Sequence, residues 1–159
     1  MRRPVSWVLI ADGGTARTYR TTGETGAHQA RLEAIPDGSF TRSDPAHFGP
    51  RPGKNFASAL RNSGHGVTTH EGQKRRAEQE FVAAVLAWIE KPEQLAAFER
   101  LIVAAPPRIL GEIRLALSPA LAKRIHCEIH GDLMKLPIKE LEKRVLASIP
   151  DPGAEQRLS

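Results

Sequence analysis

From Val5 to Ala11 the chain is apolar on both faces that a strand would present, with Val5, Trp7 and Leu9 on one and Val8 and Ile10 on the other. A strand with no polar face is covered on both sides, so the pattern predicts a central strand between two layers. Asp12-Gly13-Gly14 follows. Positive φ angles at these residues would close a tight hairpin onto a second strand, Thr15 to Thr21. Ala30 to Ile35 is a candidate third strand. Between Pro36 and His70 the pattern changes: four prolines and five glycines fall in 35 residues with no sustained period. That composition predicts a long flexible loop, with a short helical turn at "NFASALRN".

Helical periodicity resumes after Glu71, where Phe81, Val82, Val85, Leu86 and Ile89 form one apolar stripe that Pro92 ends. A short helix through Leu95 and Phe98 leads to Leu101–Ala105, an unbroken apolar run that reads as a buried strand. Pro107 suits the first turn of a helix packed through Ile109, Leu110, Ile113 and Leu117. Ser118-Pro119 repeats the device with a hydroxyl cap. Arg124 to His130 is a further strand, and Pro137 opens a last helix packed through Leu141, Val145, Leu146 and Ile149. Hairpins first and crossovers later predict an α/β fold, a mixed β-sheet with helices on both faces. One domain over residues 1–150 is expected, with the basic loop at 36–70 inside it and a polar tail at 151–159.

Composition narrows the function classes. The 159 residues carry 23 Lys and Arg against 18 Asp and Glu, a net charge of +5, which favours polyanionic partners. Seven of the basic residues (Arg42, Arg51, Lys54, Arg61, Lys74, Arg75, Arg76) lie between Pro36 and Arg76 against three acids. A basic loop feeding a basic helix start suits contact with a nucleic-acid backbone, and with Phe40, Phe48 and Phe56 its only aromatics, base stacking would be sparse. The single cysteine, Cys127, cannot form an internal disulfide. The basic pair and apolar run of "MRRPVSWVLIA" resemble an export signal, but the run is short and Asp12 with two glycines stands where a small-residue cleavage site belongs. With no stretch near the roughly 20 apolar residues of a membrane span, a cytoplasmic protein without integral membrane association is expected.

Four constellations could carry chemistry. Arg108, just past the carboxyl end of a buried strand, stands where open α/β sheets place ligands, and it has two candidate partners: an external anion or Glu112 one turn on. Asp12 could be the first-strand acid of a metal-dependent nuclease, with Glu112, Glu128 and Asp132 as companions, or simply a turn residue. His126, Glu128 and His130 alternate along one strand, with Ile125, Cys127 and Ile129 expected on its other face. Residues two apart on a strand stand roughly 7 Å apart, so at best two of the three could share an ion. Cys127 reads as unreactive core. No metal or cofactor is expected.

The segments "WVLIADGGTARTY", "HEGQKRRAEQEFVAAVLAWI", "LIVAAPPRILGEIRLALSPAL" and "KLPIKELEKRV" together resemble the bacterial host-attachment protein family, named for a role in attaching plant-associated bacteria to host cells. That family is distantly similar to the middle domain of archaeal and eukaryotic class-one peptide-chain release factors, a mixed α/β domain of ribonuclease-H-like layout. Those factors carry Gly-Gly-Gln ahead of a long helix, where it promotes peptidyl-tRNA hydrolysis. Here Glu71-Gly72-Gln73 stands in that context, with glutamate replacing the first glycine. The resemblance thus implies a non-catalytic RNA- or ribosome-associated module, with Gln73, Lys74, Arg75, Arg76 and Arg108 joining the loop cations as contacts. A hydrolase acting on RNA or peptidyl-tRNA, and a protein-interaction domain, are the alternatives.

Overall fold

A computed structural model of the chain describes residues 5–22, 31–42 and 70–148. Their elements are β1 (Ser6–Ala11), β2 (Thr15–Thr22), β3 (Arg31–Thr41), α1 (His70–Ile89), α2 (Pro92–Leu95), β4 (Arg100–Ala105), α3 (Pro107–Ala116), α4 (Pro119–Ala122), β5 (Ile125–His130) and α5 (Ile138–Ser148). The strands form one mixed sheet in the order β3-β2-β1-β4-β5. β1 to β3 pair antiparallel as successive hairpins, and β4 joins β1, and β5 joins β4, in parallel. This is the mixed α/β architecture that the element order predicts, and the strand order fits a ribonuclease-H-like layout.

β1 lies at the centre because neither of its faces tolerates water. Trp7 and Leu9 pack under α1 and α3 with Phe81, Val85, Leu86, Ile109 and Leu110. Val8 and Ile10 face the opposite layer, where Ile102, Ala104 and Ile129 meet Leu141 and Val145 of α5. Trp7 stacks on Phe98 with centroids 4.7 Å apart, and Trp88 meets Phe40 edge-on at 5.3 Å. Phe40 is thereby a core residue, out of reach of any base. Ser118 caps α4 as its position before proline predicts, its hydroxyl accepting from the Leu121 amide at 3.2 Å.

β3 differs from its expected span. It runs past Ile35 and on to Thr41, because Pro36-Asp37-Gly38 bulges out of the ladder instead of ending it. Pairing jumps from Arg17↔Ser39 to Tyr19↔Ala34, so four residues of β3 face Thr18 alone. Asp37 takes the left-handed conformation at φ 62°, which aspartate tolerates better than most residues. The Thr18 hydroxyl donates to the Gly38 carbonyl at 2.6 Å, and a Cβ at Gly38 would collide with that hydroxyl. Position 38 therefore requires glycine. The start of the expected loop is thus ordered strand, while Arg51, Lys54, Arg61, "NFASALRN", Ile149 and the tail lie outside the described residues.

β5 also departs from simple alternation. Its register against β4 shifts after Leu101↔Ile125 to Ile102↔Cys127. Ile125 consequently packs with the α1/α3 cluster, while Cys127 and Ile129 pack with the α5 cluster. The three were expected on one face; an extra residue in one strand reverses the alternation at that point.

Candidate functional site

The parallel strands β1 and β4 end at the same edge, and the β1–β2 turn, the turn of α1 that carries Glu78 and the start of α3 gather there. The turn is held by a side chain. Asp12 Oδ1 accepts from the Gly14 amide at 2.8 Å, the Thr15 amide at 2.7 Å and the Thr15 hydroxyl at 2.9 Å. Partial burial of Asp12 works to raise its pKa, but these bonds and the nearby Arg42 charge outweigh it and hold the carboxyl below its ordinary value. Asp12 is a turn-forming residue here.

Neither Gly13 nor Gly14 has a positive φ; among the described residues only Asp37 and Gly131 do. The hairpin therefore does not need glycine for the expected reason. At Gly13 the reason is space, since a Cβ there would lie 2.8 Å from Glu78 Oε1. Arg42 closes the other side, donating from its side chain to the Gly13 carbonyl at 3.1 Å and from its amide to the Gly14 carbonyl at 2.8 Å.

Glu78 extends the apolar stripe of α1 by one turn, three and four residues before Phe81 and Val82, and is buried with them. A buried carboxylate must be paired, and Arg108 of α3 supplies the partner. Its Nη2 donates to Oε1 at 3.0 Å, and its Nη1 stands 2.8 Å from Oε2, which is held by charge and not by an aligned hydrogen bond. One turn away the relation is reversed: Arg75 of α1 approaches Glu112 of α3, Nε to Oε1 at 3.4 Å. The two helices exchange ion pairs, each giving one arginine and one buried glutamate.

Of the two candidate partners of Arg108, Glu112 is thereby replaced by Glu78. Glu78 is the more deeply buried acid, with its side chain 2% exposed against 9% for Glu112, so an unpaired charge there would cost more. In both pairs the acid lies inside and the guanidinium outside, the side chains of Arg75 and Arg108 being 67% and 59% exposed.

The other carboxylates considered for metal chemistry are similarly engaged. Arg114 forks onto Glu128, with Nε to Oε1 at 3.1 Å, and this hydrogen bond leads the lowering of the Glu128 pKa. Asp132 Oδ1 accepts the Met134 amide at 3.3 Å. Among the described residues no group of three or more His, Cys, Asp or Glu side chains is placed to hold a metal ion. Cys127 is half-buried, its thiol pKa raised by burial and by the neighbouring Glu128 charge.

The sequence-predicted cations divide accordingly. Arg42 and Arg108 meet around Gly13 and Glu78, and Arg75 joins them through Glu112. Gln73, Lys74 and Arg76 lie exposed on the first turns of α1. Glu78 was missed in the sequence, although a charge in phase with an apolar stripe is the signal that could have found it. Arg114 was missed as well, and its half-buried partner Glu128, on a strand of mixed polar and apolar residues, left no such signal.

A family model described as "Protein required for attachment to host cells" matches residues 7–145. The chain belongs to this family. The match takes in β2 to β5, all of β1 but Ser6, and the crossed ion pairs, so the edge built on Gly13, Glu78 and Arg108 lies within the matched span. No curated protein matches the sequence. Among the described residues of this host-attachment family member no helix is long and apolar enough to cross a membrane.

Proposed function

We propose that this host-attachment family protein is a non-catalytic RNA-contacting module, on the ribosome or on free RNA, and that it influences attachment to host cells indirectly. The observation that carries the reading is the layering of charge at the carboxyl edge of β1 and β4, with glutamates inside and guanidiniums outside. A guanidinium has five N–H donors, and Arg108 directs two of its nitrogens at Glu78. Its side chain is 59% exposed, so the remaining donors are accessible to an anion, and the buried carboxylate holds the guanidinium in place, as a phosphate clamp requires. Lys74 and Arg76 continue the cationic surface along α1, and the net charge of +5 acts in the same direction. The carboxylates of the edge are engaged by arginines or by the turn, which favours binding over acid–base chemistry.

The direct test is recovery of the tagged protein from cells with and without ribonuclease, followed by titration of a labelled RNA at several salt concentrations. Loss of partners after ribonuclease treatment is expected, together with affinity that falls steeply with salt. Lys74→Ala with Arg76→Ala should flatten the salt slope without disturbing either ion pair. Partners that survive ribonuclease, or salt-independent binding, would point to a protein-interaction domain instead.

A further inference from the structure

The outward side of α3 is unusual in what occupies its centre. Ile109, Leu110, Glu112 and Ile113 are buried, and at 3.6 residues per turn the direction opposite to them falls on Gly111. A Cβ there would meet nothing within 4 Å, and Gly111 has no positive φ. Nothing within the described fold requires glycine, yet glycine inside a helix is less stable than alanine. An approach from outside the described fold accounts for it.

The residues around Gly111 indicate what approaches. Arg108 and Arg114 flank it, six residues apart and so about 9 Å along the axis, and each pairs with a carboxylate on another element, Glu78 and Glu128, while its own side chain stays more than half exposed. Leu115 on the same crest is 79% exposed. We propose that this crest is a docking surface for single-stranded RNA. The sugar-phosphate backbone crosses α3 at Gly111, the two arginines hold phosphates on either side, and Leu115 lies against a ribose or base. Two solvent-accessible arginines beside a helix position without a side chain suit a polyanionic strand better than an apolar partner helix, which would need more than one exposed leucine. The inference rests on the RNA-contacting reading and places the strand.

The experiment compares wild type, Gly111→Ala and Lys74→Ala/Arg76→Ala by thermal unfolding and by titration of a fluorescein-labelled oligouridylate of about 12 nucleotides, within the usual range of single-strand site sizes. Gly111→Ala should raise Tm, because alanine is the better helix former and the space is open, yet bind the oligonucleotide several-fold more weakly. A higher Tm with unchanged affinity would overturn the docking surface, while a flatter salt slope in the Lys74/Arg76 variant would leave the broader RNA reading standing. A lower Tm would show that the space is not open and would also overturn the inference. Absence of binding by wild type would remove both.

Discussion

Glu78 and Arg108, 30 residues apart, form a fork between α1 and α3 in which the acid is buried and the base reaches solvent. The two ends are therefore unequal. Removing the cation strands a carboxylate that water cannot reach, whereas removing the acid's charge leaves a guanidinium that water can solvate. Arg108→Ala should destabilise the fold by about 3 kcal/mol, toward the lower end for a broken buried pair because the arginine itself is accessible. Glu78→Gln should cost clearly less. Urea unfolding of the two variants and of their combination checks the order, and equal costs would contradict the inside–outside arrangement.

Gly13 and Gly14 are adjacent and chemically identical, yet substitution should separate them. A Cβ at Gly13 would press on Glu78 Oε1 at 2.8 Å and Cδ at 2.9 Å, whereas at Gly14 the nearest atom is Asp12 Oδ1 at 4.0 Å. Glu78 cannot readily yield, being held by Arg108. Gly13→Ala should cost about 1–3 kcal/mol, as overpacking does, and the cost should shrink when Glu78 is already alanine. Gly14→Ala should be nearly neutral in thermal unfolding.

Asp12 gives the turn a pH dependence of predictable sign. Its folded pKa lies below the ordinary value because donated hydrogen bonds outweigh burial, so the stabilisation is complete above the unfolded value of about 4 and is lost as pH falls through the folded one. Asp12→Asn retains an acceptor oxygen but not the charge. Its stability should fall less than that of wild type between neutral pH and about pH 3 in urea titrations, and parallel profiles would show that the carboxylate charge is irrelevant to the turn.

Cys127 should behave as a protected thiol. Burial and the Glu128 charge raise its pKa, and its Sγ donates to the Ser148 carbonyl at 3.4 Å. The neutral thiol is favoured in the folded state, so its contribution to stability is full below the unfolded value of about 8.5 and is lost as pH rises through the folded one. Alkylation by iodoacetamide at about pH 8 should be markedly slower in the native protein than in urea, and equal rates would show an exposed thiolate.

The sequence by itself determined the layers of this protein. Two-sided apolarity placed β1 at the centre, the stripe from Phe81 to Ile89 set the buried face of α1, and Pro92, Pro107 and Pro119 marked helix boundaries, because burial and backbone restriction leave periodic, local signals. Tertiary structure alone decided pairing. Arg108 had an acid one helical turn away, but desolvation made Glu78 on another element the greater need. Gly13 looked like a turn glycine and is instead the floor beneath that carboxylate. The bulges at Pro36-Asp37-Gly38 and after Ile125 are likewise decided by which neighbour each backbone group meets across the sheet, a long-range choice that periodicity along one strand does not encode.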